Sequence, residues 1–395
     1  MKILMLTPYL PYPTNSGGQI RSNNLIKHLS KKHEITLCSL VKNEEDHRYT
    51  EFLKPYCKEI YVFKRSTKPW TLKNILKTGF SVHPFVVVRN FSSEEKKALS
   101  NIIARGNFDI IHAETFYVSP HIPETDIPVV LVDQTIEYQV YQHYVDNYHY
   151  PFMRPLLYLD VLKVKYWESH YWKKAARVVA VSERDAKVMQ QTVKGLKVDI
   201  VPNGVGDDFI QEVPLHYNKT LLFMGNYEWM QNSEAARILA REVYPQVNKK
   251  IKDAKLVIAG QNTQKIKDLQ AKGIELVNIA VDDIKTVQNY YHNSGVLVAP
   301  LYGPGGTRLK ILSAMSSRLP VVTTKIGITG INAIDGVNVL EGETPKEVAE
   351  LTVKILQDKN LYKKIADNAR KFVEENYSYE VIADKLDKVY QEVRK

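Results

Sequence analysis

A glycine-rich segment in the second half of the chain has the composition of a phosphate-binding loop. It follows an apolar run and carries three closely spaced glycines, Gly303, Gly305 and Gly306. Because glycine has no Cβ, the backbone N–H groups of such a loop can approach an anion closely. The segment therefore predicts a site for a phosphate group.

The residues after these glycines carry two cations in an unusual position. Thr307 is a preferred N-cap residue and predicts a helix over residues 307–316, with its positive end toward the loop. Arg308 and Lys310 add positive charge to the first turn, which the helix dipole alone disfavours. A bound anion would compensate this repulsion, so we expect a diphosphate there. The alternative is a capped helix with solvated charges.

Short apolar runs alternate with helical patterns along the whole chain, which is typical of parallel β–α–β construction. The turn at residues 202–204 separates two such series. We expect two doubly wound, Rossmann-like α/β domains. They are residues 1–203 with a returning helix over 377–395, and residues 219–376, joined by a hinge over 204–218. Ligands bind such folds at the carboxyl ends of the strands, so the domains are expected to face a cleft.

The net charge of +10 is concentrated in the first half, where residues 1–205 carry 28 Lys and Arg against 20 Asp and Glu. This excess fits an anionic membrane or a phosphate-bearing acceptor, and equally a solvated surface with extra lysines. No apolar stretch approaches the ~18 residues of a membrane-spanning helix, and the N-terminus lacks a signal-peptide pattern. We therefore expect a cytoplasmic protein. Peripheral contact of the basic N-terminal domain with the inner face of the membrane stays open, and no motif supports nucleic-acid binding.

Aromatic residues are concentrated in residues 138–172, close to four lysines. The lysines are Lys163, Lys165, Lys173 and Lys174. Such a cluster fits stacking on acceptor sugars or contact with a membrane interface. It fits equally well the packing of helices within a core.

Several segments together resemble family 4 of the retaining glycosyltransferases, also called glycosyl transferases group 1, which have the GT-B fold. The segments are Met1–Gly18, Val179–Glu183, Val201–Val205, Leu221–Asn226, Tyr290–Pro300, Ala299–Thr324 and Tyr377–Val393. The glycine-rich-loop subgroup carries Thr-Arg-Leu-Lys-Ile-Leu, as residues 307–312 do here. The resemblance implies transfer of a hexose-type sugar from a UDP- or GDP-sugar to a glycan, lipid-linked or protein acceptor. It implies retention at the anomeric carbon, no metal and no permanently bound cofactor.

The resemblance also implies the site residues. The donor is expected to contact Gly225, Asn226, Gly303, Gly305, Gly306, Thr307, Arg308, Lys310 and Ser313. Arg308 and Lys310 have the catalytic role, because they would neutralise the leaving diphosphate. The sugar and acceptor are expected in a cleft lined by Gly17, Gly18, His112, Glu114, Asp133, Gln134 and Glu137. The alternatives are a structural histidine at His112 and an ordinary turn at Gly17-Gly18.

Three features depart from the family pattern. Ser313 replaces a glutamate that binds the ribose, which would lose a hydrogen bond worth roughly 1.5–3 kcal/mol. Asn226 and Asn232 stand where the family often has an arginine and a lysine, and no histidine follows the strand at residues 129–133. Two alternatives therefore stay open: a catalytically degenerate relative that acts as a binding or scaffold partner, and a GT-B sugar-nucleotide epimerase.

Overall fold

Two parallel β-sheets organise the chain, each in its own unit. The computed structural model describes residues 1–14, 16–68, 70–210, 214–280, 283–303 and 308–394. One unit comprises residues 1–202 and 383–395, and the other comprises residues 203–382.

All paired strands within the two sheets are parallel. The first unit contains β1 (Lys2–Thr7), β2 (Glu34–Val41), β3 (Glu59–Lys64), β4 (Ile110–Glu114), β5 (Val129–Asp133), β6 (Arg177–Ala180) and β7 (Val198–Ile200). The second contains β8 (Thr220–Asn226), β9 (Lys255–Gln261), β10 (Ile274–Asn278), β11 (Val296–Ala299), β12 (Val321–Thr323) and β13 (Leu340–Glu341). Their orders are β3-β2-β1-β4-β5-β6-β7 and β10-β9-β8-β11-β12-β13. The predicted doubly wound α/β fold class is confirmed.

Helices connect and cover the strands. In chain order they are α1 (Gly17–Leu29), α2 (Leu72–Phe80), α3 (Phe85–Asn90), α4 (Ser93–Gly106), α5 (Glu137–Asp146), α6 (Arg154–Lys174), α7 (Glu183–Thr192), α8 (Met230–Ile238), α9 (Tyr244–Lys250), α10 (Ile284–Asn293), α11 (Leu309–Ser316), α12 (Pro345–Gln357), α13 (Lys359–Tyr377) and α14 (Tyr379–Arg394). A π-helical turn over Leu239–Val243 links α8 to α9. Among the described residues, no helix is long and apolar enough to cross a membrane.

The central strands are apolar on both faces, because helices cover both sides of a parallel sheet. In β1 every residue after Lys2 is buried, and in β11 all four residues are buried. Strand order reverses between β1 and β4 in the first unit, and between β8 and β11 in the second. Ligands bind doubly wound sheets beyond the carboxyl ends of the strands at such switch points. The two switch points are therefore the expected locations of functional side chains.

The chain passes between the units at residues 202–203 and 382–383. Just after the first crossing, Val205 N donates to Tyr377 O over 2.8 Å. A Cβ on Gly204 would lie 2.7 Å from the same carbonyl oxygen, so glycine permits this approach. After the second crossing, residues of α14 form ion pairs with other residues of the first unit, including Lys32–Asp384 at 2.8 Å.

Candidate functional site

The switch point of the second unit brings together the described residues of the predicted donor site. Strand β8 ends at Gly225 and Asn226, β11 ends at Ala299, and α11 follows the glycine-rich segment. Gly303 is described, whereas three predicted donor residues, Gly305, Gly306 and Thr307, lie outside the described residues.

Lys310 directs its ammonium group toward the end of β8. The side chain is half-buried, and Nζ donates to Asn232 Oδ1 over 2.7 Å. Nζ also lies 4.4 Å from the centre of the Phe223 ring. Burial of the ammonium group lowers the pKa of Lys310 to about 7, and the charge of Arg308 makes a smaller contribution to this shift. A buried cation that contacts only an amide and an aromatic ring attracts any anion that enters the site.

Gly225 makes room for this arrangement. A Cβ at this position would lie 3.2 Å from Lys310 Nζ and 3.1 Å from Asn232 Cγ. Both groups would have to move, because such distances are shorter than ordinary van der Waals contacts. The glycine that ends β8 therefore allows the lysine and the amide to pack against the strand.

Arg308 is the second cation, and it is 8% exposed. One guanidinium nitrogen, Nη2, donates to Gly303 O over 2.9 Å. Burial lowers the pKa of Arg308, and its Nε finds no hydrogen-bond partner within the described ranges. None of the ion pairs between described residues includes Arg308 or Lys310. Two neighbouring cations thus lack a carboxylate partner in the part of the chain described.

The start of α11 differs from the prediction. A helix was expected from Thr307, whereas α11 begins at Leu309 and Arg308 occupies the cap position with φ −83° and ψ 83°. Arg308 therefore precedes the helix instead of belonging to its first turn. From this non-helical position its side chain donates back to Gly303 O.

Asn226 shapes the turn after β8. Its Nδ2 donates to Gln261 over 3.0 Å, and its Oδ1 accepts from Glu228 N over 2.9 Å. Its backbone oxygen accepts from Asn232 Nδ2 over 2.8 Å. The Asn226 amide thus organises the turn that holds Asn232 opposite Lys310. Ser313 is half-buried on α11, about one turn after Leu309.

The switch point of the first unit contains a buried polar network. His112 and Glu114 on β4 are 0% exposed, and His112 Nε2 donates to Glu114 Oε1 over 3.1 Å. The other ring nitrogen, Nδ1, lies 2.6 Å from the Tyr390 hydroxyl on α14. Arg21 Nε lies 3.8 Å from Glu114, and Arg21 Nη1 donates to Pro202 O over 2.8 Å. Burial would raise the pKa of Glu114, but His112 and the charge of Arg21 hold it below its usual range.

Tyr9 and Gln134 complete this network just beyond the carboxyl ends of β1 and β5. Gln134 Nε2 donates to Glu114 Oε2 over 2.6 Å and lies 3.1 Å from the Tyr9 hydroxyl. A Cβ on Gly18 would overlap that hydroxyl, so glycine is required for this packing. Gly17 is exposed and begins α1.

Three carboxyl groups lie near the end of β5. Asp133 accepts hydrogen bonds from Phe116 N and Trp172 Nε1, over 2.9 and 2.5 Å. Glu168 accepts from the backbone N–H groups of Glu137 and Tyr138 at the start of α5. Burial raises the pKa of Asp133 and of Glu137 to about 7. Burial and the charge of Asp133 also raise the pKa of Glu168. These groups hold α5 and α6 against the sheet.

The predicted cleft residues thus differ in their surroundings. Three of them, His112, Glu114 and Asp133, are buried and hydrogen-bonded to protein groups. Gln134 and Glu137 are half-buried just beyond the carboxyl end of β5. In the described ranges, no group of three or more His, Cys, Asp or Glu side chains is arranged to hold a metal ion.

The participants that were not predicted from the sequence include Arg21, Phe223, Glu168 and Tyr390. Arg21 had a detectable signal, because it precedes Leu25 by four residues and His28 by seven and so lies on the buried face of α1. The other three are brought to their partners by tertiary packing alone.

Two families match the chain. Residues 218–358 match the family described as "Glycosyl transferases group 1", and residues 16–209 match "Glycosyltransferase Family 4". A 44.6 kDa protein in the cps region of Klebsiella pneumoniae is 22% identical over 386 residues, which cover 95% of this chain and 96% of that protein. The capsular polysaccharide biosynthesis glycosyltransferase CapM of Staphylococcus aureus is 34% identical over 110 residues, 26% of this chain and 27% of CapM.

Solved structures share the fold. Sucrose-phosphate synthase from Thermosynechococcus elongatus has a TM-score of 0.71 at 15% identity, over 100% of this chain and 99% of that one. A mutant of S. aureus TarM, in complex with fondaparinux, α-GlcNAc-glycerol and UDP, has a TM-score of 0.69 at 12% identity, over 98% and 99%. HepE from Anabaena, in complex with UDP and glucose, has a TM-score of 0.63 at 15% identity, over 99% and 100%.

Proposed function

Because the chain belongs to the group 1 glycosyltransferases, we propose that it transfers a hexosyl residue from a UDP- or GDP-sugar, with retention at the anomeric carbon and without a metal ion. One observation carries the proposal. The ammonium group of Lys310 lies among protein atoms beside Arg308, held by the Asn232 amide and by no carboxylate among the described residues. Such a pair of cations suits a diphosphate.

In this reaction the bond between the anomeric carbon and the donor oxygen breaks, and the diphosphate gains negative charge. Lys310 and Arg308 stabilise that charge, which is greater in the transition state than in the bound donor. The acceptor oxygen forms the new glycosidic bond on the same face of the sugar. Its proton passes to the departing phosphate oxygen, so the step needs no nucleophile from the protein.

The acceptor is a glycan, a lipid-linked glycan or a protein, and we favour a polysaccharide intermediate. Two relatives support this choice, the K. pneumoniae protein in the cps region and CapM. A lipid-linked acceptor would require peripheral contact with the cytoplasmic face of a membrane, and the net charge of +10 favours such contact when the lipids are anionic.

A thermal-shift screen with UDP-, GDP-, ADP- and CDP-sugars tests donor binding. We expect UDP- or GDP-sugars to raise the melting temperature and Arg308→Ala to abolish the rise. Lys249→Ala, an exposed lysine on α9 of the same unit, is the matched control and should retain the full shift. Absence of a shift with every nucleotide sugar would overturn the proposal.

Ser313 favours a second candidate function, a binding or scaffold protein that retains the nucleotide site without turnover. A serine hydroxyl is too short to replace the carboxylate of a glutamate that binds the ribose. Incubation with the stabilising donor separates the two functions. Release of nucleotide with transfer or hydrolysis of the sugar supports the transferase, whereas binding without release supports the scaffold. Conversion of the donor sugar into its epimer would identify an epimerase.

A further inference from the structure

Helix α2 exposes an apolar face that the rest of its unit leaves uncovered. Phe80 is 92% exposed and Leu72 is 72% exposed, and Ile75 and Leu76 are also exposed. On this helix only Asn74 is buried. Large apolar side chains grouped on one helix cost free energy in water, so such a group indicates a surface that another phase or molecule covers.

Helix α6 extends this apolar face. Lys163 on α6 donates to Thr78 O and Ser81 O at the end of α2, over 2.8 and 2.7 Å. Leu159 and Tyr166 lie four residues before and three residues after Lys163, and Leu162 is three residues after Leu159. All three are more than half exposed. The buried face of α6 carries other residues, including Val164 and Trp172. We call the exposed residues of the two helices the α2–α6 surface.

Positive charges predominate around this surface. Between Glu59 and Glu94 the chain contains six Lys or Arg residues and no Asp or Glu. Lys68 and Lys73 are exposed there, and Lys165 and Lys173 are exposed on α6. The two acidic residues of α6 face inward, because Asp160 accepts from Phe85 N and Glu168 caps α5. The apolar side chains are thus bordered by cations.

We propose that the α2–α6 surface docks the first unit on an anionic lipid bilayer, with its apolar side chains in the interface and its lysines among the headgroups. Helices that lie in a membrane interface combine these two features. A negatively charged leaflet attracts each nearby lysine, and this attraction is complementary to the charge observed here. The inference deepens the membrane contact of the proposed function by naming its surface, and it requires no transfer activity.

Flotation of the full chain with vesicles tests the proposal. We expect the protein to float with vesicles of phosphatidylglycerol and phosphatidylcholine in equal parts, and to remain unbound with phosphatidylcholine alone. High salt should weaken binding, because screening shortens the reach of the lysine charges. Failure to float with the anionic vesicles would overturn the proposal.

Two variants probe the surface. Lys68→Glu with Lys73→Glu should lower the partition coefficient on the anionic vesicles by at least roughly tenfold. Leu76→Ser with Phe80→Ser should also lower it by at least roughly tenfold, because the apolar contact area is lost. Lys249→Glu with Lys250→Glu, and Ile334→Ser, make matched changes at exposed positions of the second unit and should leave partitioning unchanged.

Melting temperature and nucleotide-sugar binding are measured on every variant. Unchanged values show that the variants fold and that donor binding succeeds or fails independently of lipid binding. Equal partitioning of all variants would overturn the assignment. A stable dimer that Phe80→Ser dissociates would also overturn it, because a second copy of the chain would then cover the surface.

Discussion

The ammonium group of Lys310 donates a 2.7 Å hydrogen bond to the side-chain oxygen of Asn232, which joins α11 to the first turn of α8. An amide oxygen orients a cation without neutralising it. The lysine therefore has a fixed position and no ionic partner among the described residues. In the empty protein burial disfavours its charged form, and a bound anion would restore the charge.

Replacement of Lys310 by methionine should change how stability depends on pH. In the folded protein the pKa of Lys310 is about 7, and in an unfolded chain it is about 10.4. Between these values the unfolded chain binds more protons at this position, so the wild-type protein gains stability as pH rises, by up to about 1.4 kcal/mol per pH unit. Lys310→Met should lack this gain. Melting temperatures of both proteins at pH 7 to 9.5 test this prediction. Parallel curves of melting temperature against pH would contradict it.

Gly225→Ala should weaken nucleotide binding by roughly tenfold, the equivalent of about 1.4 kcal/mol. The new methyl group would lie 3.2 Å from Lys310 Nζ and displace it. Gly79→Ala is the matched control, because a Cβ there meets nothing within 4 Å. The control should keep its affinity and gain about 0.4–1 kcal/mol of stability. Titration calorimetry with UDP compares the two variants, and equal affinities would show that Lys310 does not contact the nucleotide.

Ser313→Glu should tighten nucleotide binding by roughly ten- to a hundredfold. A carboxylate on α11 would add a charge-assisted hydrogen bond to a ribose hydroxyl, worth about 1.5–3 kcal/mol. Ser313→Gln has nearly the same size without the charge and should gain less. Dissociation constants for UDP measure both effects. If neither variant binds more tightly, the ribose lies away from this turn of α11.

Tyr390→Phe should destabilise the first unit by about 1–3 kcal/mol, because His112 Nδ1 would lose its partner in a fully buried site. Tyr150→Phe removes a hydroxyl from an exposed ring and should change stability by less than about 0.5 kcal/mol. Urea unfolding measures both values. A Tyr390→Phe protein as stable as the wild type would mean that the His112–Tyr390 contact contributes little to stability.

Local patterns in the sequence predicted much of the secondary structure. The short apolar run Val296–Ala299 predicts a strand without tertiary information, and the structure has a strand with those bounds. The apolar spacing of residues 233–247 predicts one continuous helix, and the structure agrees only in part. A π-helical turn at Leu239–Val243 interrupts it, and the spacing of apolar residues does not reveal a change in hydrogen bonding.

The candidate site was predictable only where its residues are neighbours in sequence. Arg308 and Lys310 were identified from a local excess of charge beside glycines. The partner of Lys310 is 78 positions away, and the partner of His112 is 278 positions away, so no local pattern indicates them. The low pKa of Lys310 arises from the same tertiary packing.

Proton uptake on nucleotide binding tests most directly the claim that Lys310 meets the diphosphate. Titration calorimetry with UDP at pH 8, in buffers of different ionisation enthalpy, measures this uptake. At that pH most of the empty protein has a neutral Lys310, and a bound diphosphate should restore its charge. We predict uptake of nearly one proton by the wild-type protein and of almost none by Lys310→Met. Binding of UDP with no proton uptake by the wild-type protein would contradict the claim.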